Sequence, residues 1–85
     1  MTEDNNLFVA RDDTTYDRGV SYLVRRVVFL TTKVKTAIIG NSVAYYNYED
    51  EEMARITPDK REFRLTNKTD EETRQGIKDI LGERH

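Results

Sequence analysis

A Gly-Asn pair at the middle of the chain constrains the fold more than any other feature of the sequence. The runs on either side of Gly40-Asn41, residues 33–39 and 42–48, are rich in β-branched and aromatic residues, which favour strands. Glycine accepts a positive φ without steric cost, so Gly40-Asn41 suits a two-residue type II′ turn. The pattern predicts a β-hairpin in which Ile39 faces Ser42, and this pairing fixes which side chains share a face.

The hydrophobic residues concentrate around this hairpin. Of the 31 in the chain, 16 lie between residues 20 and 46, so we expect the core to be built around that stretch. A chain of 85 residues has the size of one small domain. We therefore predict a single domain over residues 1–85, with frayed ends.

A second hairpin is predicted around Pro58-Asp59. Proline presets φ for a turn and aspartate can close it, and the flanking segments Met53–Thr57 and Arg61–Thr66 have strand composition. Symmetric pairing about the turn predicts two cross-strand pairs, Ala54 with Phe63 on an apolar face and Arg55 with Glu62 on a charged face.

Two helices are predicted outside the hairpins. Hydrophobic residues at helical spacing indicate a helix over residues 15–31, begun by the Thr14 hydroxyl with Asp17 three residues later. A strand is the alternative for this stretch, because it contains Gly19 and many β-branched residues. Near the C-terminus, Thr69 and Glu72 form a capping-box pattern. The apolar stripe that follows consists of Thr73, Ile77, Ile80 and Leu81.

These elements together predict an α+β domain. It consists of a small antiparallel sheet made of two hairpins, a C-terminal helix and an N-terminal helix, with Leu7–Ala10 as a short edge strand.

The composition excludes several kinds of chemistry. The chain has no Cys, which removes disulfides, thiolate catalysis and Cys-ligated zinc. Its one His is the last residue, His85, and a terminal side chain is not held with catalytic precision. The four glycines are scattered and the acidic runs lack the spacing of a calcium loop. We expect no catalytic residue, no metal site and no cofactor.

The sequence also predicts a cytoplasmic setting. No apolar run approaches the ~20 residues that span a bilayer, and the polar start of the chain does not have the pattern of a signal peptide. We expect no contact with a membrane.

Charge alternates along the chain in blocks. Residues 18–36 carry five basic side chains and no acidic one, whereas residues 37–52 carry four acidic side chains and no basic one. The net charge of −2 is typical of neither a histone-like nor a strongly acidic protein. Blocks of opposite sign predict two oppositely charged patches, which proteins use to orient a partner. Small phage-encoded inhibitors have a similar composition, but no sequence motif supports this analogy.

An acidic, tyrosine-rich segment motivates the main functional hypothesis. Its residues are Tyr45, Tyr46, Tyr48, Glu49, Asp50, Glu51 and Glu52. Tyrosine gives a large contact area at low entropic cost, and carboxylates suit a basic partner. We predict a non-enzymatic protein-binding regulator, adaptor or inhibitor, directed at a basic surface such as that of a nucleic-acid-binding protein. Alternatively, one or two of the tyrosines belong to the core and the acids only solubilise the end of the hairpin.

A single-stranded nucleic-acid-binding module is the second hypothesis. Its candidate residues are Arg25, Arg26, Lys33, Lys35, Tyr46 and Tyr48. In the register set by the turn, Lys33 faces Tyr48 and Lys35 faces Tyr46, which would combine cations for phosphates with rings for base stacking. The overall acidity counts against this hypothesis. The alternative is that this face packs against a helix.

A homodimer is compatible with both hypotheses, because a small core gains from pooled apolar surface. The candidate surfaces are the Val/Leu face of residues 20–34 and the Leu7–Ala10 edge.

Overall fold

The computed structural model, which describes residues 6–30 and 35–81, has a five-stranded antiparallel sheet and two helices. The elements in chain order are β1 (Asn6–Val9), α1 (Asp13–Leu30), β2 (Lys35–Ile39), β3 (Ser42–Tyr46), β4 (Glu52–Thr57), β5 (Glu62–Leu65) and α2 (Glu71–Leu81). The strands lie in the order β1-β5-β4-β3-β2. The predicted α+β fold is confirmed. Residues 15–31, for which the sequence allowed either a helix or a strand, are helical as far as the described residues extend.

The core lies between the helices and one face of the sheet. Leu23 and Val27 of α1 pack with Ile77 and Leu81 of α2 against the apolar residues of the inner strands. At the centre, the fully buried ring of Phe63 lies 5.3 Å from the ring of Tyr16. Each large side chain buried here contributes about 1.5–3 kcal/mol. Leu23 and Val27 of the candidate dimer face are buried within the chain, whereas Val24 is exposed, and residues 31–34 of that face lie outside the described residues.

The core is not centred on the first hairpin, which corrects the expectation from hydrophobic content. Ile38 and Ile39 of β2 are exposed, whereas Phe63, Leu65 and Ile77 are fully buried. The reason is that β2 lies at the edge of the sheet, beyond the reach of the helices.

Each helix begins directly after an aspartate, Asp12 or Asp70, that caps it in place of the predicted threonine. An Asp12 carboxylate oxygen accepts the backbone N–H of Thr15 at 2.8 Å, and this hydrogen bond lowers the pKa of Asp12. The pairing of Thr14 with Asp17 is therefore wrong. A carboxylate satisfies the free N–H groups and also places negative charge at the positive end of the helix.

The capping box at the second helix is corrected in the same way. Asp70 accepts the backbone N–H of Thr73 at 3.0 Å, while the Thr69 hydroxyl donates to the carbonyl of Met53 in β4. Thr69 therefore ties α2 to the sheet instead of capping the helix with Glu72.

Arg26 connects the two helices. Its Nε donates to the Thr73 hydroxyl at 3.0 Å and its Nη2 to the Asp70 carboxylate at 2.9 Å. Burial tends to raise the pKa of Asp70, but the hydrogen bonds from Thr73 and the charge of Arg26 outweigh it and lower the pKa. Since the folded pKa lies below the unfolded one, this stabilisation is present at neutral pH and is lost as the pH falls through the folded pKa.

We expect Asp70→Asn to reduce the acid sensitivity of the fold. Asparagine preserves the helix cap but cannot form the ion pair, so the variant should be less stable at pH 7 by about 0.5–1 kcal/mol. As the pH falls through the lowered pKa of Asp70, both proteins lack the charge and the difference should shrink. Urea unfolding at pH 7 and over a series of acidic pH values measures this, with the exposed Asp79→Asn on α2 as the control. A deficit that does not depend on pH would contradict the role of the carboxylate.

The first hairpin has the predicted register. Ile39 pairs with Ser42 and Lys35 with Tyr46, and Gly40 has a φ of 61°. Asn41 is not among the residues with positive φ, as expected for type II′ and not type I′.

The second hairpin is shifted by two residues from the prediction. Ala54 pairs with Leu65, and Arg55 faces Arg64 where Glu62 was expected. The turn is longer than two residues, because Pro58–Lys60 forms a 3₁₀ turn and Arg61 adopts a left-handed conformation with φ 53°. A shift by an even number leaves the apolar face unchanged.

A β-bulge in β4 compensates for the two facing arginines. The register with β3 slips so that Tyr45 pairs with Ala54 but Tyr46 pairs with Glu52. In a regular strand residues 52 and 55 would point to opposite faces, but the extra residue puts them on the same face. Arg55 consequently donates two hydrogen bonds to Glu52, at 3.1 and 2.7 Å.

Candidate functional site

The two faces of the sheet differ in what covers them. The helices cover the face that carries Phe8, Phe63 and Leu65. We call the other face the open face. By register it carries Lys35, Ala37, Ile39, Ser42, Ala44, Tyr46, Glu52, Arg55, Thr57, Glu62, Arg64, Leu7 and Val9.

The three candidate tyrosines do not share a surface. Tyr45 points to the helical side and packs against the core, and burial raises the pKa of its phenol. Tyr46 lies on the open face and is half-buried. Tyr48 follows the end of β3 and is 64% exposed. One tyrosine is thus largely a core residue, and Tyr48 is the one available for contact.

Tyr48 lies in a turn organised by a residue that the sequence analysis did not single out, Asn47. The side-chain Oδ1 of Asn47 accepts the backbone N–H groups of Glu49 at 2.9 Å and Glu51 at 3.0 Å. Its amide nitrogen donates to a Glu51 carboxylate oxygen at 3.0 Å. We call residues 47–51 the acidic turn. An Asn directly after a strand is the local signal for such an arrangement.

The backbone of the acidic turn is also hydrogen-bonded. The N–H of Asn47 donates to the carbonyl of Glu51, and the N–H of Asp50 donates to the carbonyl of Asn47, both at 3.0 Å. Asp50 has a φ of 63°, a conformation that Asn and Asp tolerate better than most residues. Five hydrogen bonds within residues 47–51 thus stabilise this conformation of the turn.

Three of the four candidate carboxylates form ion pairs within the chain. Asp50 contacts the ammonium group of Lys35, Glu51 lies 3.3 Å from that of Lys68, and Glu52 binds Arg55. Hydrogen bonds from Asn47 and Lys68 lower the pKa of Glu51.

Glu49 differs from the other three carboxylates. It is exposed and forms no ion pair with any residue of the described ranges. The side chains of the acidic turn that face solvent are thus Tyr48, Glu49 and the partly neutralised Asp50.

The alternative Lys/Tyr surface is only partly assembled. Lys35 faces Tyr46 on the open face as predicted, but Tyr48 lies beyond the strand and Lys33 lies outside the described residues. Within the described strands, Tyr46 is the only aromatic residue that the register places on this face.

The two candidate arginines lie on α1, in the other layer of the fold. Arg26 is engaged between the helices. Arg25 is exposed beside a shallow groove of about 390 Å³. The groove is lined by Asp17, Arg18, Ser21, Tyr22, Arg25 and Ile80. Neither arginine adds to the Lys35–Tyr46 pair.

No buried side-chain nitrogen or oxygen in the described part of the chain is without a hydrogen-bond partner. No three of the His, Cys, Asp and Glu residues described there are grouped so that they could hold a metal ion. Neither described helix is both long and apolar enough to cross a membrane. No protein-family model, curated protein or solved structure matches this chain.

Proposed function

We propose that this chain is a non-enzymatic protein-binding domain, a regulator or inhibitor in the cytoplasm, that docks onto a basic protein surface through its acidic turn. The observation that carries the proposal is the exposure of Tyr48 in a turn that the Asn47 side chain holds in place.

The exposed tyrosine supplies the apolar part of such a contact. A tyrosine ring offers a large area with only two side-chain torsions, so little entropy is lost when it is buried by a partner. Since the hydrogen bonds of Asn47 already order the turn, binding does not have to meet the cost of ordering it.

The carboxylates supply the polar part. Glu49 and Asp50 follow Tyr48 in the turn and are exposed, so they would attract a basic surface and set the orientation of docking. A cleft that binds nucleic acid has such a surface, and an acidic turn with a planar ring could occupy it.

We expect Tyr48→Ala to weaken capture of the partner by about 30-fold or more, as for an interface hot spot. Because the side chain is exposed, the free energy of unfolding should change by less than about 0.5 kcal/mol. The measurement is affinity capture from a lysate of the source organism, quantified by mass spectrometry, followed by titration of each captured protein.

Charge is tested separately with Glu49→Gln combined with Asp50→Asn, in which asparagine preserves the left-handed backbone. This variant should bind more weakly and lose most of the salt dependence of binding. The matched control is Asp59→Asn with Asp79→Asn, which removes the same charge from exposed positions elsewhere. If capture survives in both acidic-turn variants, the turn has no docking role.

One observation supports the nucleic-acid hypothesis, namely that Lys35 and Tyr46 are paired on the open face. Titration of labelled single-stranded and duplex oligonucleotides at low and moderate salt tests it. Micromolar binding that falls steeply with salt and is weakened by Lys35→Glu would support this second function in place of the first.

A further inference from the structure

Strand β2 is the least protected edge of the sheet. It is the last strand in the order and pairs on one side only, with β3. Ile38 is 80% exposed although it points to the helical side, and Ile39 is 41% exposed on the open face. Prolines and bulges commonly block pairing at the edge of a sheet. Neither occurs within the described residues of β2.

The hairpin register determines which backbone groups of β2 are free. A two-residue turn is closed by a hydrogen-bonded pair, here Ile39 with Ser42, and such pairs alternate along an antiparallel ladder. Ala37 and Lys35 therefore bond to β3, whereas Thr36 and Ile38 direct their N–H and C=O groups outward. Neither residue has a backbone hydrogen bond to another segment in the described part of the chain.

From these features we propose that two copies of this chain pair antiparallel along β2, about a two-fold axis at Ala37, and form a continuous ten-stranded sheet. In this arrangement Thr36 of each copy lies opposite Ile38 of the other copy. Each of the two Thr36–Ile38 pairs then exchanges two backbone hydrogen bonds. The axis is perpendicular to the sheet, and the helices of both copies lie on the same side.

The side chains of β2 are complementary to themselves in this register. Ala37 faces Ala37 of the second copy at a non-hydrogen-bonded pair, where side chains come closest, and alanine is small enough for that position. Lys35 faces Ile39, so no like charges lie opposite each other. The two Ile38 side chains lie diagonally across the axis, within reach of each other.

Charge does not oppose the pairing. The only ionic side chain of β2 is Lys35, which already contacts Asp50 of its own chain. The two lysines would be separated by about 13 Å along the strand direction. The fit is thus a property of this strand itself and does not depend on the acidic turn or its partner.

Pairing along one short edge buries less area than a standard interface of about 1,600 Å². We therefore expect a reversible dimer whose weight-average mass rises from 10.0 kDa toward twice that value between about 10 μM and about 1 mM. Sedimentation equilibrium measures the mass. Hydrogen exchange at high concentration should show added protection at the amides of Thr36 and Ile38.

Two variants locate the interface. Thr36→Pro removes an outward N–H and no hydrogen bond to β3, and Ile38→Lys places two cations near the axis at a position that is exposed in the monomer. Each should weaken the dimer at least about tenfold. The matched control is Val9→Lys on the other edge strand, β1, which should dimerise like the wild type, as should Tyr48→Ala.

Several results would overturn the proposal. One is a mass that stays at 10.0 kDa at the highest concentration, with no added protection at Thr36 and Ile38. Another is a dimer that survives Ile38→Lys or is lost in Val9→Lys. Masses that grow beyond the dimer would indicate open-ended pairing between β1 and β2, which is also contrary to it.

Discussion

Phe63→Ala is expected to lower the free energy of unfolding by about 3–5 kcal/mol. The ring is fully buried on β5, a strand with partners on both sides, and it contacts Tyr16 of α1. Alanine loses the transfer free energy of the ring and leaves a cavity that the rigid strand cannot close. For a domain of this size the loss is a large fraction of the total stability.

Urea unfolding followed by circular dichroism measures this effect, and Tyr48→Ala is the matched control. It also removes an aromatic ring, but one that is 64% exposed, so its cost should be below about 0.5 kcal/mol. Similar losses in both variants would mean that Phe63 is not at the centre of the core.

Gly19→Ala is expected to destabilise the protein although it lies within a helix. Alanine is favoured over glycine there by about 1 kcal/mol. However, a Cβ at residue 19 would lie 2.8 Å from Cζ of Phe63 and 3.3 Å from Cδ2 of Leu81. Overpacking of this kind costs about 1–3 kcal/mol. The gain in helix propensity offsets about 1 kcal/mol of this cost, so we expect a net loss of up to about 2 kcal/mol.

Two further variants separate the causes. Ser21→Ala, at an exposed position of the same helix, should raise stability by a few tenths of a kcal/mol because only helix propensity changes. Phe63→Leu removes the Cζ atom, so Gly19→Ala should cost less in that background, with a coupling of at least about 0.5 kcal/mol. A gain in stability from Gly19→Ala alone would show that the helix and β5 are not in close contact.

The parts of the fold that follow from local chemistry were predictable. The turn at Gly40 needs only a residue that accepts a positive φ, and it gave the register of the first hairpin. The second register was missed because Arg61 occupies the left-handed conformation, which its residue type does not signal. The helix caps were missed by only a few residues, since a threonine and an aspartate compete for the same role.

The candidate site was less predictable, because the net charge that it exposes depends on ion pairs that local sequence spacing does not reveal. Alternation along a strand is enough to place Tyr45 and Tyr46 of β3 on opposite faces of the sheet, as the structure has them. The neutralisation of Glu51 involves Lys68, seventeen positions later, and the ion pair of Glu52 with Arg55 requires a bulge. Sequence spacing does not show either contact, so the segment looked more negative than its exposed surface is.

The order of the strands has a consequence for how the protein is made. The first strand, β1, has β5 as its one neighbour, so Asn6 pairs with Leu65 near the other end of the chain. During synthesis on the ribosome, β1 emerges first and must wait for its partner. The meander from β2 to β4 can form earlier, because its pairings are short in sequence. Until then the apolar residues of β1 are exposed to other nascent chains, and that interval is when this small protein is most vulnerable to misassembly.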